Sequence, residues 1–137
     1  MPSSYGFPIG LEDAKRAAAP ALAHARQRGW TMAVAIVDTA GTLVYFEKMD
    51  DTQNGSAKVA ITKARSAALF KRPTKAFEDT LATGTSGLRI LGLVGAVPVE
   101  GGLPLVIGGK IVGAIGVSGG TGQQDGECAG ASVEAVK

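Results

Sequence analysis

The chain is poor in the residues that usually carry chemistry. It has one cysteine, one histidine and few aromatics: four phenylalanines, two tyrosines and one tryptophan among 137 residues. A single cysteine, Cys128, excludes an internal disulfide and suits a reducing compartment. One histidine, His24, and one cysteine cannot supply the four protein ligands of a structural zinc site. No serine, histidine and acid elbow is present. The net charge of +2 is not gathered into any lysine/arginine block, so nucleic-acid binding has no support. The most apolar stretch, Leu105 to Val117, is too short and too broken by glycine to span a bilayer. The N-terminal Met1-Pro2-Ser3-Ser4-Tyr5-Gly6-Phe7-Pro8 has neither a charged n-region nor an apolar h-region, so no secretory leader is expected. These absences give a cytoplasmic protein with no membrane and no nucleic-acid partner.

Glycine is abundant, with 20 residues, and 45% of the chain is hydrophobic. That suffices for one core, and the length gives one domain over residues 1–137, with residues 1–8 as an N-terminal arm that is a tail or packs Tyr5 and Phe7 on a neighbour. Glycine lets elements approach closely, yet it leaves a small chain short of large apolar anchors. Homo-oligomerisation is therefore expected to complete the burial.

The sequence is organised around Gly101 to Asp125. Two apolar runs flank Gly108-Gly109-Lys110, which is hairpin punctuation. Gly113 and Gly116 inside the second run mark close approach by another backbone or a ligand. The run ends in Ser118-Gly119-Gly120. Thr121 then reads as an N-cap, Gln124 as its capping-box partner and Asp125 as a first-turn acid. Gly119 and Gly120 before a helix start can hold an anion. The glycine spacing is not that of a dinucleotide site.

Leu11 to Arg28 has helical periodicity, with Gly29 as its stop and Pro20 as a kink. A second stripe of Ala17, Ala21, His24 and Arg28 is small and flat, open to a partner helix or a planar ligand. His24 is the only imidazole available as a haem or metal ligand or as a general base; the plain alternative is a histidine on a helix flank. Trp30 to Asp38 and Thr42 to Met49 form a hairpin whose turn Asp38 caps. Asp50-Asp51 at its end is solvated or a weak cation binder.

A second helix runs from Gly55 or Ser56 to about Lys71. Lys63 lies on its otherwise apolar face, either snorkelling from a core edge or presenting an ammonium to a carboxylate at a pocket wall. Residues 73–91 look irregular. Thr74 can cap a short helix through Glu78, and Thr83-Gly84-Thr85-Ser86-Gly87 is a polar turn suited to an anion or simply a loop. Arg89 can grip a carboxylate, and Leu88, Ile90, Leu91 and Leu93 are expected to anchor the segment in the core. Cys128 reads as a small buried residue, although a helix N-terminus can lower a thiol pKa. The order of helix, hairpin, helix, irregular segment, hairpin, helix gives an α+β fold with an antiparallel sheet.

Gly102-Leu103-Pro104, followed by Val112-Gly113-Ala114-Ile115-Gly116-Val117-Ser118-Gly119-Gly120 and Gln124-Asp125, resembles the signature of the GlcG/HbpS-like family. That family includes haem-binding proteins and the C-terminal domain of PduO-type proteins. Val37-Asp38, Gly41, Met49-Asp50, Lys63-Ala64, Phe70 and Pro73-Thr74 extend the resemblance to roughly residues 9–137. It implies a profilin-like sandwich, self-association, and a ligand site that includes Lys63, Ser86, Arg89, Gly101, Gly102, Gly119 and Gly120. It also implies haem or a related tetrapyrrole, with His24 as metal ligand and Lys63 or Arg89 on the propionates. Two alternatives stand beside it. One is a cofactor-independent hydratase, lyase or isomerase of a catabolic pathway, in which Lys63 binds a small carboxylated metabolite and Asp125 or His24 moves protons. The other is a non-catalytic assembly module.

Overall fold

Turn chemistry builds the sheet. In the computed structural model, which describes residues 3–137, β1 (Ala33–Asp38) turns into β2 (Leu43–Lys48) at Asp38. Asp38 Oδ1 accepts from the N–H groups of Ala40 at 2.9 Å and Thr42 at 3.0 Å, and Gly41 takes a φ of 81°. β3 (Gly102–Ile107) and β4 (Lys110–Ser118) are joined by Gly108 and Gly109, with φ of 59° and 78°, the pair of positive values a tight hairpin turn needs. All pairings are antiparallel, in the order β2-β1-β4-β3. Pro104 sits on the edge strand β3, where its missing N–H costs no ladder bond to a further strand.

Helices cover both faces. α1 (Leu11–Arg28) and α4 (Gly122–Val136) pack over Met32, Val34, Ile36, Leu105, Ile115 and Val117. The other face is nearly all alanine: Ala33, Ala35 and Ala114 lie against Ala60, Ala64 and Ala67 of α2 (Ser56–Phe70). The helix comes so close that a Cβ at Gly116 would overlap the Ala60 carbonyl. The small stripe on α1 receives a partner helix: Ser132 Oγ of α4 accepts the Ala21 N–H at 3.0 Å, one residue after Pro20.

Four expectations are corrected. The arm is not a tail over the described residues; Met1 and Pro2 lie outside them. Ile111 N–H donates to the Ser4 carbonyl, and Gly6 and Ile9 N–H groups donate to the Ile111 and Val112 carbonyls, all at 2.8–2.9 Å. The arm thus extends the sheet beside the start of β4, where β1 has already turned away. Residues 74–92 are not irregular but hold α3 (Thr74–Ala82) and a 3-10 helix (Thr85–Gly92). Thr74 does not cap α3; its Oγ1 accepts the Gly102 N–H at 2.9 Å. Finally, only Ile90 of the expected anchors is buried, while Leu88, Leu91 and Leu93 are 53%, 69% and 42% exposed. In a 3-10 helix, positions three apart eclipse, so Leu88 and Leu91 share a side that Ile90 does not.

Candidate functional site

Lys63 is a lysine the fold encloses completely. Its side chain is 1% exposed and its Nζ donates to Asp125 Oδ2 at 2.9 Å and to the Val117 carbonyl at 3.0 Å. Asp125, itself buried, uses Oδ1 to accept the Gly120 N–H at 2.9 Å. Two residues 62 apart in sequence therefore tie α2 to the first turn of α4 and to the end of β4. The glycines singled out in the sequence surround this tie. A Cβ on Gly101, whose φ is 134°, would stand 2.6 Å from the Val117 carbonyl and 2.8 Å from Lys63 Nζ. One on Gly102 would overlap the Lys63 carbonyl, and Gly119 and Gly120 lie against Met32. The anion at the Gly119-Gly120 loop is thus the chain's own: Asp125, with the capping box of Thr121 and Gln124 beside it.

His24 lies elsewhere, near the end of α1. Its Nε2 is 2.6 Å from Glu127 Oε2, and its side chain is 25% exposed. Trp30 meets the imidazole edge-on, with ring centroids 6.1 Å apart. Arg28 pairs with the same Glu127 oxygen at 3.0 Å and lies over the Trp30 ring. The hydrogen bond from His24, with the Arg28 charge behind it, holds the Glu127 carboxyl below the usual glutamate range. Next to it, Cys128 is buried in the core, and desolvation pushes its thiol up to about 11.

Ser86 and Arg89 are exposed on the 3-10 helix, which packs on α3. The chain then crosses α2, where Val97 N–H donates to Ser66 Oγ at 3.0 Å. The structure therefore brings Lys63, Asp125, Gly101, Gly102, Gly119 and Gly120 together. It does not bring them to His24, and it puts Arg89 and Ser86 on the side of the sheet away from α1. Sequence reasoning missed Glu127 and Trp30. Glu127 sits on the exposed side of α4, 103 residues from His24, and no local pattern links the two. Among the described residues, no three histidine, cysteine or acidic side chains converge as a metal cluster. No described helix is long and apolar enough to cross a membrane.

A four-stranded antiparallel sheet between α1 and α4 on one side and α2 on the other, locked by a buried lysine–aspartate tie, defines a small α+β sandwich. The chain belongs to the family described as haem degrading protein HbpS-like, whose profile matches residues 9–134. It is 36% identical to Protein GlcG of Escherichia coli K12 over 94 residues, 69% of each chain. Among solved structures, it resembles the PduOC:haem complex at 28% identity and a TM-score of 0.84, covering 95% of this chain and 96% of that one. It also resembles a double mutant of Streptomyces reticuli HbpS at 27% identity and a TM-score of 0.86, covering 98% and 90%.

Proposed function

We propose that the protein binds haem or a related tetrapyrrole, with His24 as the iron ligand. The observation that carries this reading is the His24 imidazole itself, the only one in the chain, partly exposed beside the Trp30 ring at the edge of the α1–α4 layer. Family membership supports it, as does the likeness to a protein crystallised with haem.

The residues present fit the group. His24 Nε2 is held by a carboxylate at the partly exposed end of α1, not buried in the core. If Glu127 gives up this nitrogen, it keeps Arg28, with which it is already paired, so no uncompensated charge is left behind. Bound haem would supply a redox-active iron; the chain's own part is to ligate, orient and shield. No comparable observation favours a hydratase, lyase or isomerase, because Lys63 and Asp125 are enclosed and bonded to each other.

Titration with haemin tests the reading. Saturable growth of a shifted Soret band at one equivalent per chain is expected, and His24→Ala should abolish the shift. A linear, unshifted response in the unaltered protein contradicts it.

A further inference from the structure

On the side of the sheet away from His24, the segment 88–97 lays a row of apolar side chains over the outer surface. Leu91 is 69% and Val94 93% exposed, with Leu88 and Leu93 beside them. A cavity of about 460 Å³ borders the row at Arg89, Ile90, Gly92 and Leu93. Where the segment crosses α2, a second of about 250 Å³ is lined by Thr62, Arg65, Leu69, Gly95, Ala96 and Val97. Each cavity holds one arginine, no acidic side chain lines either, and among the described residues neither Arg65 nor Arg89 forms an ion pair.

Exposed leucines flanked by two unpaired guanidiniums describe the complement of an apolar body with acid groups at its edge. A second copy of the same surface would bring only cations to these arginines, and like charges across an interface are unfavourable. We propose that this strip is a binding surface for an amphipathic carboxylate, distinct from the His24 site and needing no metal. Leu88, Leu91, Leu93 and Val94 take the apolar body, and Arg89 and Arg65 pair with its carboxylates through the forked geometry that suits arginine.

The test uses metal-free protoporphyrin IX, which has an apolar body and two carboxylates but no iron for His24 to ligate. Its fluorescence is followed on titration with the intact protein, with His24→Ala, with Arg65→Gln/Arg89→Gln and with Leu91→Glu/Val94→Glu. All four positions on the strip are exposed, so circular dichroism should be unchanged. Saturable binding that is equal in His24→Ala and at least roughly tenfold weaker in both strip variants is expected. Three results would overturn the proposal: no saturable binding, binding that ignores the strip substitutions, or binding lost only in His24→Ala. A drop in assembly size in Leu91→Glu/Val94→Glu with porphyrin binding retained would make the strip a contact between copies instead. Haemin binding through His24 is read separately by its Soret band, so the two proposals can fail independently.

Discussion

At the scale of single residues, the chain spends its scarce titratable groups on each other. Lys63 and Asp125 form a buried pair whose hydrogen-bonding partners include backbone groups on both sides. Lys63→Met leaves the Asp125 carboxylate uncompensated, and urea denaturation should register a loss of about 3–5 kcal/mol. Adding Asp125→Asn keeps the acceptor for Gly120 and should recover part of it. A loss under ~1 kcal/mol in the single variant would place the pair with ordinary surface bridges. Lys63 was legible in the sequence as a lysine on an apolar helix face; its partner was not, because only the fold joins α2 to α4. Glu127 is the second case. Its folded pKa lies below the ordinary value, so the clasp to His24 and Arg28 contributes above the ordinary glutamate range and is lost as pH falls through the lowered value. Carboxyl NMR titration should therefore show Glu127 titrating lower in the unaltered protein than in His24→Ala; coincident curves would remove the clasp. Cys128, pushed up to about 11 by burial, should alkylate far more slowly at pH 8 in the folded protein than in urea. Equal rates would mean the thiol is open to solvent.

At the scale of elements, the helices and hairpins were legible because each carries its own punctuation. Gly29 stops α1 in the left-handed region, Thr121 and Gln124 form the capping box of α4, and Gly108-Gly109 turns β3 into β4. The arm and residues 85–92 were not legible. The arm's place depends on the edge that β1 leaves open along β4, a tertiary fact. The apolar spacing of Leu88 to Leu93 looks like core in any helix of ordinary pitch, but a 3-10 helix lying outside α3 turns most of it to solvent. Pro20 is the element-scale weak point of α1, and Ser132 answers it by accepting the next N–H. Ser132→Ala should cost about 1–3 kcal/mol by leaving that buried donor without its partner, measured by thermal or urea unfolding. A neutral result would show that α1 satisfies the group alone.

At the scale of the whole molecule, the two faces of the sheet are packed differently: α1 and α4 cover Met32, Ile36, Leu105 and Ile115. The face under α2 is packed with alanine, while Leu11 and Leu43, away from the 88–97 strip, are exposed and Phe7 is 91% exposed. Such a surface favours self-association, and we expect light scattering at micromolar concentration to give a mass above the 13.8 kDa of one chain. A mass of one chain would contradict self-association through these side chains. The central claim, a tetrapyrrole ligated at His24, has an unusually clean reporter, since the chain contains a single imidazole. The deciding measurement is the ¹⁵N NMR spectrum of that ring during titration with diamagnetic gallium protoporphyrin IX. Metal ligation through Nε2 should move that nitrogen and break its coupling to Glu127 in step with saturation. An imidazole spectrum that stays fixed while the porphyrin binds would contradict the account.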